Sequence, residues 1–339
     1  MPPNLLTTWQ RLKQQANASD GEVLERMARA YAAGYARIDP QLTALTEQIE
    51  ALEKAGKLTS EQVKKSAAYK NLITAVTEEL DDYESYLRAE VRAAVTQSAK
   101  QGMDAGYTLL LSAVAMALGI EVKDIPDGTI LRPNDKTLEF LAKYFDPNGA
   151  LFAKINGLSN YHATQIAEGF IERVSQGINP RVIARWFQDA YGVGLTDAMR
   201  ICRTAQLYSY REASAATQSA NSDVLQGSVW CAELDGFTCA SCIALHGQVF
   251  EVGAVCDDHH NGRCALLPWV KGEPNPIEQT GESWFKEQDE AIQRSVMGDA
   301  KWEAWNEGKF DFSALSREYD DEVFGLMRGE TPLKDLIGE

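Results

Sequence analysis

Residues 230–268 read WCAELDGFTCASCIALHGQVFEVGAVCDDHHNGRCALLP, and here the texture of the chain changes. Val229-Trp230 and Gly247-Gln248-Val249-Phe250-Glu251-Val252 have the β-branched and aromatic character of short strands, and Asp235-Gly236 between them is a turn dipeptide. Cys239 and Cys242 stand in a C-x-x-C pair, a spacing that lets two thiolates converge on one tetrahedral ion. His260 and Cys264 offer a second pair in H-x-x-x-C spacing. Together they make a Cys3His set with no open position, which is the structural and not the catalytic type of Zn2+ site. His259 is the alternative to His260, and Cys231, His246 and Cys256 are spare candidates. The competing reading is a small β-rich knob with reduced, partly buried thiols and two loop histidines. A thioredoxin-like use of Cys239-Ala240-Ser241-Cys242 lacks its βαβ surroundings.

Upstream of this stretch the chain reads as helix. Ser19 and Glu22 have capping-box spacing, which predicts a helix from Ser19 to about Ile38, before Asp39-Pro40. Leu42, Leu45, Ile49 and Leu52 lie on one helical stripe ending at Ala55-Gly56-Lys57, and Thr59 is the expected cap of a long helix through Val95. Further helices are expected to start near Lys136, Ser159, Asn179 and Leu195, the last capped by Thr196. Downstream, helix returns at Glu282. Phe312, Leu315, Tyr319, Val323, Phe324 and Met327 step by three or four residues, which predicts an amphipathic helix. The fold class is therefore mainly α (α+β), a long helical body with a small β-rich Cys/His knuckle and a helical C-terminal tail. Its expected segments are 1–125, 126–221, 222–272 and an acidic 273–339.

The chain has 339 residues and a formal charge of −16. Residues 271–339 hold 17 acidic against 8 basic side chains and would repel phosphate, whereas residues 171–211 hold six arginines against three acids. Arg173, Arg181, Arg185, Arg200, Arg203 and Arg211 are thus the expected nucleic-acid face, against the plainer reading of helix-surface ion pairs. The first residues lack the basic and apolar regions of a signal peptide, and the longest apolar stretch, Tyr107 to Ile120, is short for a membrane span, so no membrane partner is expected. There is no G-x-S-x-G, Walker A or H-E-x-x-H motif, and nothing in the sequence orients Cys239 with His246 as a hydrolase pair.

Trp230, Asp235, Thr238-Cys239-x-x-Cys242, Leu245-x-Gly247 and His259-x-Asn261-x-Arg263-Cys264 resemble the signature of the Mu F-like (SPP1-type) phage minor head proteins. Arg203-Thr204-Ala205-Gln206 resembles the Arg-Thr-Glu helix that precedes that knuckle, with Ala205 in the acidic position. Trp284 to Gln288, Gln293, Met297-Gly298 and Trp302-x-x-Trp305-x-x-Gly308 resemble the tail that follows it. The likeness spans about residues 195–312. It departs where the pattern His-x-x-Cys-Arg-Cys has Gly262 in place of the first cysteine. The resemblance implies a non-catalytic minor capsid protein acting in capsid assembly and in genome packaging and retention at the portal vertex. It would sit in the virion, in the head interior, after assembly in the host cytoplasm. Its expected partners are the portal protein, a capsid or scaffold protein, and double-stranded DNA. The alternatives are a zinc-knuckle nucleic-acid-binding adaptor and a Cys/His hydrolase.

Overall fold

The computed structural model describes residues 4–133, 138, 146 and 148–338. The helix expected near Lys136 lies outside the described residues. The fold is mainly α with small antiparallel sheets, as the sequence predicts. The helices of the body are α1 (Leu5–Lys54), α2 (Ser60–Lys65), α3 (Ala67–Leu118), α4 (Ala150–Asn156), α5 (Leu158–Ser175) and α6 (Pro180–Ser219). Among the described residues no helix is long and apolar enough to cross a membrane.

α1 runs through Pro40, where the sequence predicts a break. Ile38, Leu42, Leu45 and Ile49 are all buried, so the apolar stripe stays in phase across the proline. Burying several such side chains, each worth roughly 1.5–3 kcal/mol, outweighs the roughly 3 kcal/mol that an interior proline costs. Likewise α6 passes uninterrupted through Leu195, and Thr196 bonds back to the Gly192 carbonyl instead of capping a new helix. Asn179 caps as expected, accepting the Arg181 N–H at 3.0 Å, whereas Thr59, which accepts the Gln62 N–H at 3.2 Å, caps only the short α2, and the long helix α3 starts at Ala67 beyond Ser66.

The chain forms two compact units that do not follow consecutive segments, because α1, α3 and α6 each contribute to both. One unit comprises Ser19–Ala94 and Lys143–Arg203. Its core includes Met27, Leu72, Leu87, Phe170 and Phe187, with Tyr31 hydrogen-bonded to the Tyr191 carbonyl.

The other unit comprises Met1–Ala18, Val95–Ala142 and Thr204–Glu339, and it contains the cysteine-rich stretch. Strands β1 (Leu225–Cys231), β2 (Val249–Phe250) and β3 (Ala265–Val270) form an antiparallel sheet in the order β2-β1-β3. Side chains alternate across it. Val229, Cys231 and Leu267 pack with Leu5, Trp9, Leu109 and Ala113 of α1 and α3. Trp230 and Leu266 face the other way, toward Cys242, Leu245, Cys256 and Cys264. Helices α3 and α6 meet closely here: a Cβ on Gly102 would lie 2.0 Å from the Tyr210 carbonyl oxygen.

A short helix α7 (Ala240–Leu245) packs on α8 (Gly281–Lys286) and on Phe285, Met297, Phe312 and Leu315. Helices α9 (Glu290–Met297) and α10 (Asp299–Asn306) follow. The expected amphipathic helix beyond Phe312 is instead a 3-10 turn (Phe312–Leu315) and a hairpin of β4 (Ser316–Asp321) and β5 (Gly325–Glu330), with α11 (Leu333–Ile337) after it. The reversal is set by Asp321, whose carboxylate accepts the N–H groups of Val323 and Phe324, and by Gly325 at φ +74°.

Candidate metal centre

Cys239 is the N-cap of α7, and its sulfur accepts the Cys242 N–H at 3.4 Å. One helical turn therefore brings the two sulfurs to the same side, as the C-x-x-C spacing predicts. The segment before the helix is pinned. The Asp235 carboxylate accepts from the Phe237 N–H at 3.0 Å, from the Thr238 hydroxyl at 3.0 Å and from both arms of Arg263. With four donors fixed on one carboxylate, Phe237 stands out at 90% exposure.

The other ligands come from the loop between β2 and β3. His259 Nε2 lies 3.3 Å from Cys239 Sγ and 3.4 Å from Cys242 Sγ. Metal–sulfur and metal–nitrogen bonds of about 2.3 and 2.05 Å at tetrahedral angles put nitrogen and sulfur about 3.6 Å apart, so these spacings suit a shared ion. His259 Nδ1 is 2.9 Å from the His260 carbonyl oxygen. A proton held there leaves the Nε2 lone pair free for the cluster, the usual way a protein fixes the tautomer of a ligating histidine. Cys264 completes the group: Cys242, Asp258 and Cys264 have donor atoms within 4.8 Å of one another and are all buried. The cluster of Cys239, Cys242, His259 and Cys264 can hold a metal ion.

His260, the histidine first expected in the site, is a correction. Its Nε2 lies 3.2 Å from Asp321 of the hairpin and its ring faces Phe324. Successive loop residues point in different directions, and the loop geometry, with Asn261 at φ +57°, turns His259 and not His260 inward. The spare candidates are not among the side chains grouped closely enough to share an ion. His246 Nδ1 accepts the Ala232 N–H at 3.0 Å, and burial holds its pKa down to about 4, which keeps it neutral. Cys231 and Cys256 are buried, and burial pushes both thiols up.

Without a metal the cluster is one charged hydrogen-bond network. The Cys239 thiol is lowered to about 5, first by the hydrogen bond from the Cys242 thiol and then by His259. His259 is raised to about 9, chiefly by its bond to Cys239 and also by Asp258. Cys242 is raised by its hydrogen bonds to Cys239 and Cys264 and by burial, and burial likewise raises Cys264.

Asp258 is 1% exposed and accepts from the His259 N–H at 2.9 Å, the Cys264 N–H at 3.0 Å and Arg211 at 3.1 Å. Arg211 also donates to the carbonyls of Gly262 and Cys264. It is buried inside the protein, which removes it from the expected nucleic-acid face. Of the remaining arginines, Arg181 pairs with Glu50, Arg200 with Asp197, and Arg173 lies over the Trp186 ring at 3.9 Å. Arg203 is half-buried beside Asp20, and Arg185 is exposed. Asp258 was not singled out from the sequence, and Arg211 was singled out only as part of the expected nucleic-acid face. The available signal was a lone arginine among small and aromatic residues of α6, together with the Asp-Asp run before the histidines.

No family model, curated protein or solved structure matches the chain. The likeness to the Mu F-like proteins therefore rests on the motifs quoted above.

Proposed function

We propose that this protein is a non-catalytic minor head protein of a phage. In this reading Zn2+ binds Cys239, Cys242, His259 and Cys264 and stiffens a small docking lobe at the portal vertex, with the portal and a capsid or scaffold protein as partners. The observation that carries the reading is a pair of side-chain triads that share Cys242, Cys239–Cys242–His259 and Cys242–Asp258–Cys264, each with its donor atoms within 4.8 Å of one another. A ligand set completed by the protein leaves no position for substrate, whereas catalytic zinc keeps one open. The ion would tie the turn at 235–238 to the sheet and present Phe237, an aromatic anchor of the kind that dominates protein interfaces. Binding energy of the ion would become folding energy of the lobe. Contact with duplex DNA through Arg173, Arg181, Arg185, Arg200 and Arg203 belongs to the same proposal, without Arg211.

A Cys239–His259 hydrolase pair is the rival reading, favoured by their 3.3 Å separation. Against it, the second nitrogen of His259 meets a backbone carbonyl and not a carboxylate, and Cys242 lies at the same imidazole nitrogen. Elemental analysis with thiol counting on the purified protein tests the metal: one zinc per chain with protected thiols supports the clip, and freely titrating thiols with no metal sink it. Co-purification with heads and portal tests the assembly role, and a protein absent from particles overturns it.

A further inference from the structure

Asp258 lies within reach of the cluster and could be taken for a ligand, yet its surroundings give it a different task. We infer that Asp258 and Arg211 are positioning residues of the metal centre: the carboxylate organises the ligand loop from outside the coordination shell, and Arg211 anchors it to α6. The inference rests on the reading of Cys239, Cys242, His259 and Cys264 as ligands.

A carboxylate has about four lone-pair directions. Here Oδ1 receives the His259 N–H at 2.9 Å and faces Cys242 Sγ at 3.2 Å, while Oδ2 receives the Cys264 N–H at 3.0 Å and Arg211 Nη2 at 3.1 Å. Three of these four contacts come from N–H groups that metal binding does not remove. Ligation by Asp258 would break bonds made at a carboxylate only 1% exposed, where an unpaired donor is costly. The same contacts explain why the ligands meet. The two backbone N–H groups belong to two ligands five residues apart, so one rigid carboxylate fixes the span of the turn between them. Arg211 closes that turn from its other side through the carbonyls of Gly262 and Cys264, at 2.9 and 3.2 Å. The packing excludes a side chain at 262, since a Cβ there would lie 2.1 Å from Asp258 Oδ2. Charge supports the pairing too. Three thiolates and a divalent cation leave one net negative charge, which a buried carboxylate alone would oppose and which the Arg211 guanidinium offsets.

The test uses the full chain with cobalt as the spectroscopic probe and zinc competition for affinity. In Asp258→Asn the cobalt bands are expected to keep the positions of the native protein, while zinc affinity falls about 10- to 100-fold, the usual effect of losing an outer-shell partner. Arg211→Met should weaken zinc over the same range, and the double variant should be no weaker than the worse single one. Arg211→Lys keeps the charge but not the planar fork, and it should lose several-fold in affinity with unshifted bands. It decides the matter if Asp258→Asn does not fold. Shifted bands in Asp258→Asn would make Asp258 a ligand, and native affinity in either Asp258→Asn or Arg211→Lys would remove the positioning role. A native chain that binds neither cobalt nor zinc refutes the underlying site reading instead, a result separable from both.

Discussion

Changing pH between 6 and 8.5 should leave the number of protons released on zinc binding almost constant at three. Metal takes the deprotonated forms of all four ligands, so protonation competes with binding and affinity climbs as pH rises. Cys239, held near 5, has already lost its proton over most of this range, and His259, held near 9, still carries one. Cys242 and Cys264, both raised, keep their protons to higher pH than free cysteines do. These four groups together release about three protons at pH 6 and lose few of them by pH 8.5, whereas unperturbed cysteines and histidine would release about 3.8 and about 1.5. A count of three makes apparent affinity rise roughly a thousandfold per pH unit. Calorimetric titration of zinc, delivered from a weak chelator in buffers of different ionisation enthalpy, gives the count directly. A steep fall, from nearly four protons to fewer than two, would refute the charged Cys239–His259 network.

Three further outcomes are expected. His259→Ala should abolish tight zinc binding, while His260→Ala should keep the metal and loosen the hairpin 316–330, seen as faster amide exchange there; zinc lost from His260→Ala and kept by His259→Ala would reverse the ligand assignment. Gly102→Ala should destabilise the protein by about 1–3 kcal/mol in urea unfolding, since its Cβ meets the Tyr210 carbonyl, whereas Gly21→Ala in exposed helix should stabilise it by about 1 kcal/mol; equal effects at both sites would count against the close crossing. Phe237→Ser should leave zinc content and thermal unfolding unchanged yet prevent entry into heads, and normal incorporation would deny the exposed ring a docking role.

How far the sequence could be read depended on whether the deciding contact was local. Cys239 and Cys242 were legible because three residues of helix determine their juxtaposition. The helical stripes were legible for the same reason, but several of their ends were not: α1 begins at Leu5 and not at Ser19, α3 begins at Ala67 beyond a separate short α2, and α1 and α6 continue through Pro40 and Leu195, where burial on a common face decides. His259 against His260 was not legible: which neighbour turns inward depends on contacts from α6 and from the hairpin. Arg211 reads as a surface charge until Asp258, 47 positions later, is folded against it. In the tail, Phe312, Leu315, Tyr319 and Met327 fit a helical period. The chain nevertheless pairs as strands, because Asp321 and Gly325 reverse it and Met327 is buried opposite Tyr319.

The loop before β3 shows why the knuckle is more than a clip. Four consecutive side chains address three different structures: Asp257 binds Arg328 of β5 at 2.9 Å, Asp258 binds Arg211 of α6, His259 joins the sulfurs, and His260 returns to the hairpin at Asp321. Tyr208 of α6 reinforces the junction, with its hydroxyl at the Asp258 carbonyl and its ring 4.8 Å from Phe324. Residues so closely shared do not contribute independently to stability. A metal that orders His259 and Cys264 therefore also orders the surfaces on which α6 and the hairpin rest, and a substitution at Arg328 should reach the metal without touching a ligand. The sequence separation of these parts is large, so much of the entropy of bringing them together is lost only once, when the loop closes. In the proposed reading, closure of residues 256–264 is the step at which a bound metal would act on the folding of the lobe.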